Sequence, residues 1–413
     1  MESRFSFPQR PDDLDRALML RGLSFKGSTI ARNPVKPLVD ICLEDRFAGM
    51  SSEDKTRLKK DFKLIVLNLI ENGLAGVFTA IGLGRDRYAK GTPYDALHLS
   101  YTQVMKSLTA LEAHGYVERF NGFNDRQTGI RRFSRFYPTK LLSEALDLAT
   151  IAPLITPSTW KTDNGSLLRW KDEKGSYAKR VKSFPNDHED IKRLRKINKF
   201  LEQFSWPQKG IVYLQWSADT PIDGGRIYTS FQNMPRSRRK DYLTIDGVKT
   251  IELDYSANHP RMAMALLGIT LGDDPYSEIT VKTGLEREKV KKFFQIALTS
   301  ESKKSCEAAL IDPRKKQSKV VFTKDEFNLV ADAVLTTFPQ MPLFKGIGVK
   351  LQSLEGQIAL DVLCSGVDAG IAVLPLHDAF ITTASHQSWL YELMVIHWRN
   401  HVHPDISPVI KLK

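Results

Sequence analysis

The chain of 413 residues has few cysteines: Cys42, Cys306 and Cys364 stand far apart, and no two have C-x-x-C spacing. This scarcity argues against a disulfide framework and a cysteine zinc site, and it favours a reducing compartment. The sequence also lacks an apolar run long enough to span a bilayer, and its first residues, MESRFSFPQRPDD, contain no apolar signal core. We therefore expect a cytoplasmic protein without membrane contact.

Acidic residues are fewer than basic residues. The chain has 60 Lys+Arg against 48 Asp+Glu, which gives a formal net charge of +12. A basic excess of this kind favours a large polyanion, such as a nucleic acid, as the partner. The hydrophobic content of 42% is that of globular material, and the length allows two or three domains.

The pattern of periodic and polar stretches divides the chain into four segments. They are a poorly periodic lead-in over 1–55, a domain over 56–150, a linker with a basic helix over 151–205, and a second domain over 206–413.

Residues 100–137 follow the order helix, strand, basic turn, strand. Val104, Leu108 and Leu111 lie on one helix face, and Gly115 stands where that helix should end. YVERF and RRFSRFYPT follow as two strands. The outline resembles a winged helix-turn-helix domain, which implies DNA contact, although a domain that packs or dimerises without DNA is the alternative. The arginines expected near phosphates are Arg126, Arg131, Arg132 and Arg135.

Two aspartates stand at the ends of strand-like runs. VKTIELDYS predicts a strand that reaches Asp254, followed by a helix with Pro260 in its first turn. GIAVLPLHDAFITT predicts a hairpin with Asp378 at its tip and His377 beside it. Carboxylates in such places need a partner, and two that meet could hold two divalent cations about 3.5–4 Å apart. The alternatives are that Asp254 caps a helix and that His377 braces the hairpin.

A cationic helix is expected between these two strands. The spacing predicts it from Thr283 to about Thr299, with Thr283 and Glu286 as a capping box. Arg287 and Lys291 are four residues apart on one edge, where they suit the phosphates of a nucleotide. A solvated helix edge is the alternative.

Several segments together resemble family A DNA polymerases. DYSANHPRM resembles motif A, REKVKKFF resembles motif B, and LHDAF resembles motif C in the HDS form of single-subunit phage RNA polymerases. GGRIYTSFQNMP resembles the TGR…QNIP element, and LQSLEGQIALDVL resembles the helix before motif C. The five elements occur in the family's order and cover about residues 210–413. The chain looks most like small polymerase-like proteins of mobile elements.

This resemblance implies an α+β protein in which a winged helix-turn-helix module precedes a right-hand palm and fingers. The implied activity is that of a DNA polymerase or primase in the replication of a plasmid, phage or island. Its partners would be primer-template or single-stranded DNA and NTP or dNTP. Two Mg²⁺ or Mn²⁺ ions would be held by Asp254 and Asp378, with Tyr255 completing the set. The implied nucleotide-binding residues are Arg287, Lys291 and His259, and the implied nucleic-acid contacts are Arg226, Gln232, Asn233, Arg261 and His377.

The sequence departs from the family at several places. Gln295 and Thr299 stand where motif B has an aromatic residue and a tyrosine, and His259 replaces the glutamate that selects the sugar. Ala379 replaces the second acid of motif C. The sugar, the template, the need for a primer and a replicative helicase as partner therefore stay open. A small RNA polymerase and a catalytically inactive DNA-binding initiator or regulator are the alternatives.

A histidine cluster near residue 400 suggests a metal site by composition alone. His397, His401 and His403 are close in sequence, but no fourth ligand is apparent. We therefore do not expect zinc there.

Overall fold

The chain is a mixture of helices and strands, as expected for an α+β protein. The computed structural model describes residues 17–25, 34–124, 131–157, 167–170, 179–180, 188–216, 225–311 and 321–413. No helix in these ranges is long and apolar enough to cross a membrane. The chain divides into two compact units, a first of residues 1–160, 205–210 and 230–247, and a second of residues 161–204, 211–229 and 248–413. This partition differs from the four predicted segments, whose boundaries stay predictions.

The first unit combines helices with short strands. Its helices span Lys36–Leu43, Ser52–Leu74, Pro93–Ala96, Tyr101–Ala113, Lys140–Ala145, Leu148–Ile151 and Arg236–Tyr242. Its strands span Ala17–Met19, Leu23–Phe25, Phe78–Ile81, Val117–Phe120, Phe123–Asn124, Arg131–Arg132, Ser134–Pro138, Ile155–Pro157 and Thr244–Ile245.

The core of the first unit forms around the long helix Ser52–Leu74. Ser51 caps this helix by accepting a hydrogen bond from the Asp54 N–H at 3.1 Å. Phe62 and Ile65 of this helix are fully buried. They pack in one core with residues of a four-stranded sheet. The strand order in that sheet is Ala17–Met19, Phe78–Ile81, Ser134–Pro138, Val117–Phe120.

The helix and strands expected over residues 100–137 are present. The helix spans Tyr101–Ala113, and Gly115 follows it with a left-handed φ of +67°. Val117–Phe120 pairs antiparallel with Ser134–Pro138. These elements match the predicted order, while the assignment as a winged helix stays a prediction. Arg126 lies outside the described residues.

The second unit is larger. Its helices span Glu189–Leu201, Asn258–Ala265, Pro275–Thr283, Arg287–Thr299, Lys303–Ile311, Lys324–Thr337, Gly348–Ala369 and Gln387–His401. Its strands span Leu168–Trp170, Lys179–Arg180, Tyr213–Trp216, Arg226–Tyr228, Val248–Tyr255, Leu374–Leu376, Ala379–Thr383 and Ile410–Leu412.

The strand Val248–Tyr255 is central to the sheet that carries both aspartates. It pairs antiparallel with Ala379–Thr383 on one side and with Ile410–Leu412 on the other. Leu374–Leu376 pairs antiparallel with Ala379–Thr383 and completes the predicted hairpin around residues 377–378. Beneath the sheet, side chains such as Phe380 and Trp398 are buried.

Asp61 gives the first unit a testable dependence on pH. It is 2% exposed and accepts the Ser100 N–H at 3.1 Å. Burial raises its pKa to about 6 from 3.8, although the Ser100 hydrogen bond opposes the rise. The folded state therefore holds this proton more tightly than the unfolded state, and the free energy of unfolding falls as pH rises from about 4 to about 6. Asp61→Asn should raise this free energy at pH 7 by up to about 3 kcal/mol.

Urea unfolding of the original chain and of Asp61→Asn at pH 4 and pH 7 measures this difference. Asp45→Asn, at an exposed position, is the matched control and should change little. A lower stability of Asp61→Asn at pH 7 would contradict the prediction.

Candidate active site

Strand pairing brings the two predicted aspartates to one place. Asp254 is opposite Ala379, which directly follows Asp378, and the Tyr255 N–H donates to the Asp378 carbonyl oxygen at 3.4 Å. Asp254 and Asp378 both line a cleft of about 300 Å³ within the second unit. The structure therefore unites two carboxylates that are more than a hundred residues apart in sequence.

The backbone is strained on both sides of this cleft. His377 has φ +58° and Ala257 has φ +51°, a conformation that side chains with a Cβ rarely adopt and that costs about 1–2 kcal/mol. The His377 ring packs edge-on against Tyr228 with centroids 5.4 Å apart. That contact is consistent with His377 bracing the turn that presents Asp378. Strain of this kind concentrates at functional sites.

The cleft carries charges of both signs, and its volume is within the range of small-molecule sites. Its carboxylates are Asp254, Glu355 and Asp378, and its cations are Arg226, Arg287, Lys291 and Lys413. The other lining residues are Tyr255, Ser256, Ala257, Asn258, His259, Pro260, Tyr276, Gln295 and Leu298.

The two aspartates are desolvated and repel one another. Burial raises the pKa of Asp378 well above its usual range, and the charges of Glu355 and Asp254 raise it further. Burial also raises the pKa of Asp254, while a hydrogen bond from Lys413 partly offsets this rise. Two carboxylates in such surroundings need additional positive charge to be ionised together.

Glu355 is a buried carboxylate that organises one wall of the cleft. It is 5% exposed, and its Oε1 forms an ion pair with Arg226 Nε at 3.2 Å. Its Oε2 is 2.8 Å from His259 Nε2. Burial alone would raise the pKa of Glu355, but His259 and Arg226 together hold it below its usual value. Glu355 thus orients His259, which is predicted to bind nucleotide, and Arg226, which is predicted to contact nucleic acid.

The predicted start of the cationic helix is wrong. Thr283 is the last residue of the helix Pro275–Thr283, and Gly284 ends that helix with φ +68°. The next helix begins at Arg287, with Glu286 as its N-cap. No capping box forms, because the Thr283 hydroxyl accepts from the Leu285 N–H at 3.3 Å. A glycine in the left-handed conformation overrides the capping pattern.

Arg287 and Lys291 both line the cleft, but Arg287 is paired with a carboxylate whereas Lys291 is exposed. Arg287 Nη2 is 3.0 Å from Asp274 Oδ2, and its guanidinium lies 5.3 Å from the Tyr276 ring centroid. Lys291 is exposed, and its charge lowers the pKa of Asp254. Gln295 lies one turn further along the same cleft-lining row.

The burial and hydrogen bonds of Arg261 contradict the prediction that this residue contacts nucleic acid. It is 5% exposed, and its guanidinium donates to the carbonyl oxygens of Ser256 at 2.8 Å and Leu271 at 3.0 Å. It also donates to those of Gly272 and Asp273, both at 2.7 Å. Arg261 does not line the cleft. It joins the start of the helix Asn258–Ala265 to the loop that follows that helix.

The side chain of Tyr255 is buried and its hydroxyl is already hydrogen-bonded, which limits how this residue could bind a metal. Its side chain is 3% exposed and its hydroxyl donates to the Met394 carbonyl oxygen at 2.7 Å. The backbone carbonyl of Tyr255 is therefore its remaining candidate ligand atom.

The other predicted nucleic-acid contacts lie in the first unit. Gln232 and Asn233 form part of the short turn Ser230–Asn233. Arg132 is exposed, whereas the Arg135 guanidinium lies 5.8 Å from the Phe78 ring centroid. Arg131 belongs to a two-residue strand. The roles of these residues stay predictions.

The histidines near residue 400 are occupied by side-chain contacts. His401 Nε2 is 2.5 Å from Asp361 Oδ2, and His397 Nε2 is 2.9 Å from the Ser365 hydroxyl. Throughout the described ranges, no group of three or more His, Cys, Asp or Glu side chains could hold a metal ion.

The two cleft aspartates have the chemistry that Mg²⁺ requires. Mg²⁺ prefers oxygen ligands and is commonly held by one or two carboxylates, with waters and substrate phosphates completing its shell. Asp254 already attracts a positive charge, because Lys413 Nζ lies 2.6 Å from its Oδ2. The donor set of Asp254 and Asp378 therefore fits a divalent cation.

The comparisons with known proteins do not by themselves establish a family or a fold for this chain. No protein-family model matches the chain, and no curated protein is similar to it in sequence. Among solved structures, the POL domain of Pol1 from M. smegmatis in complex with DNA primer-template and dNTP is similar to 55% of this chain at 14% identity, with a TM-score of 0.33. This chain spans about half of that structure, 51% of its length. A likeness this low does not establish a shared fold.

The contacts of Arg261 predict a structural effect upon its replacement. Arg261→Gln removes the charged donors that four backbone carbonyl oxygens accept from this buried side chain, so the free energy of unfolding should fall by about 3 kcal/mol. Denaturant unfolding measures the change. Lys282→Gln removes an exposed cation of the same unit and should have little effect. An Arg261→Gln protein of unchanged stability and weakened DNA binding would restore the predicted nucleic-acid role.

Proposed function

We propose that this protein is a template-directed nucleotidyltransferase, a DNA polymerase or primase, that acts in the replication of a mobile element. The observation that carries the proposal is the meeting of Asp254 and Asp378 in one cleft that Arg287 and Lys291 of the helix Arg287–Thr299 also line. Acidic and basic groups in one cleft suit a metal-bound triphosphate.

The roles follow from the charges in the cleft. Asp254 and Asp378, with the Tyr255 carbonyl, would hold two Mg²⁺ or Mn²⁺ ions. Bound there, such ions lower the barrier by activating a hydroxyl and stabilising a leaving phosphate oxygen. Lys291 neutralises phosphate charge, and Arg287 joins it when phosphate replaces Asp274 as its partner.

The reaction needs no nucleophilic side chain of the protein. The 3′-oxygen of a strand forms a bond to the α-phosphorus of the nucleotide, and the bond from that phosphorus to the bridging oxygen breaks. The hydroxyl loses its proton, and pyrophosphate leaves. The protein contributes position and electrostatic stabilisation. Glu355 supports this by fixing Arg226 and His259 at the wall of the cleft.

The first unit would supply affinity for DNA. We assign residues 56–150 to a winged-helix domain in which Arg126, Arg131, Arg132 and Arg135 contact phosphates, in keeping with the net charge of +12. Arg226, Gln232, Asn233 and His377 are the proposed contacts outside that domain. The sugar of the nucleotide and the type of template are left undefined by this chemistry, so a small RNA polymerase is the nearest alternative.

A non-catalytic DNA-binding initiator or regulator is the second candidate. Gln295 and Thr299 on the helix Arg287–Thr299, and Ala379 after Asp378, depart from the polymerase pattern and favour it. In that case the cleft would be retained as a scaffold.

Primer extension with Mg²⁺ or Mn²⁺ tests the catalytic proposal, using both NTP and dNTP. Asp254→Asn and Asp378→Asn should each lower incorporation at least about a hundredfold, because each removes a metal-holding carboxylate. Asp368→Asn, at an exposed acid of the same unit, is the control and should keep full activity. An original chain that binds DNA but stays silent on every template and primer would favour the regulator.

Arg132 tests the proposed role of the first unit. Arg132→Gln should weaken DNA binding about equally for all sequences and reduce the slope of log K against log salt by about 1, because one phosphate contact is lost. Fluorescence anisotropy over a series of salt concentrations measures both. The control is Arg57→Gln, an exposed arginine of the same unit that pairs with Glu53 at 2.7 Å. Equal slopes for Arg132→Gln and the original chain would contradict the proposal.

A further inference from the structure

Lys413 is attached along its backbone to the strand that carries Asp254. The strand Ile410–Leu412 pairs with Leu253–Tyr255, and the Ser256 N–H donates to the Val409 carbonyl oxygen at 2.7 Å. Beyond the strand, the Lys413 N–H donates to the Glu252 carbonyl oxygen at 3.0 Å. These bonds fix where the Lys413 side chain starts.

The Lys413 side chain ends on the carboxylate of Asp254. Its Nζ lies 2.6 Å from Asp254 Oδ2, and both side chains are about three-quarters buried, with exposures of 28% and 20%. Arg226 pairs with Glu355 and Arg287 pairs with Asp274, while Lys291 is exposed. Lys413 is the cleft cation that the structure pairs directly with Asp254.

An ammonium group and a divalent cation seek the same oxygen lone pairs. A hydrogen bond at 2.6 Å occupies the side of Oδ2 that faces Lys413, and it partly neutralises Asp254. A doubly charged ion that binds there must weaken this contact, and like charges at such separations repel one another.

We propose that Lys413 is a resident counter-ion of Asp254, which a divalent cation must displace in order to bind. Lys413 would thereby set the metal concentration that the site requires, and it would hold the Asp254 carboxylate in place before metal arrives. This inference rests on the proposed function, because it takes Asp254 as a metal ligand. It adds a residue that no polymerase-like motif of this sequence contains.

Lys411 provides a matched control on the same strand. It lies directly opposite Asp254, and because side chains alternate along a strand, Lys411 and Lys413 project from the same face. Lys411 is exposed, and within the described residues no ion pair involves it. Replacing Lys411 removes the same charge from the same strand and leaves the contact with Asp254 intact.

Direct measurement of Mn²⁺ binding by electron paramagnetic resonance tests the inference without reference to activity. Lys413→Met keeps the apolar stem and removes the charge, so it should bind Mn²⁺ about fivefold more tightly than the original chain. Lys413→Arg keeps a cation and should bind as the original does. Lys411→Met should change affinity much less than Lys413→Met.

The thermal shift caused by Mn²⁺ supplies a second readout. Metal-free Lys413→Met should melt below the original chain, because Asp254 has lost its partner, and Mn²⁺ should raise its melting temperature by more. If Lys413→Met does not fold, Lys413→Gln keeps a hydrogen-bond donor without the charge and should show the same order of affinities.

The outcomes separate the inference from the proposed function. Binding that disappears in Asp254→Asn, yet is no tighter in Lys413→Met than in Lys411→Met, overturns the role of Lys413 alone. Weaker binding in Lys413→Met also overturns it, because Lys413 would then support the metal instead of competing with it. Binding that is unaffected by Asp254→Asn overturns both the metal site and the inference.

Discussion

The cleft depends on keeping two poorly solvated carboxylates close together. Antiparallel pairing of three strands brings Asp254 and Asp378 to one end of a sheet, and burial there disfavours their charged forms. Such a pair is stable only when positive charge is supplied nearby. Lys413, Lys291 and Arg226 supply this positive charge. The electrostatics that make the site costly to fold are also those on which the proposed binding of cations and phosphates depends.

Local patterns predicted the elements of the site well. The strand to Asp254 and the hairpin around His377 and Asp378 follow from short-range periodicity and turn chemistry. The long helix Gly348–Ala369 was expected from the resemblance of LQSLEGQIALDVL to a helix of the polymerase family. That the two aspartates meet is a long-range fact, and it was expected from the order of the motifs. The helix start at Thr283 was misplaced, because a capping pattern and a glycine stop gave competing signals and the glycine prevailed.

Glu355 and Lys413 were not predicted from the sequence, and only Glu355 stands in a recognisable sequence pattern. Glu355 lies four residues after Leu351 and three before Ile358, and both of these are buried. A carboxylate in an apolar helical stripe is a signal for a buried ion pair, and it could have been found. Lys413 gave no such signal, since its contact with Asp254 depends on strand register. Arg261 matched a family arginine by position, yet its neighbours are carbonyl oxygens of its own loop.

The planar fork of Arg261 has a mechanical consequence for the part of the cleft that Arg287 lines. The guanidinium holds the carbonyls of Gly272 and Asp273, and the next residue, Asp274, caps the helix Pro275–Thr283 and pairs with Arg287. The position of Arg287 is thus tied through a short rigid relay to the segment after Asp254. An ammonium group lacks the fixed directions needed to hold so many oxygens at once, so a lysine at this place would preserve charge while loosening the relay. Such a replacement would loosen the connection between the segment after Asp254 and Arg287 without changing the net charge of the protein.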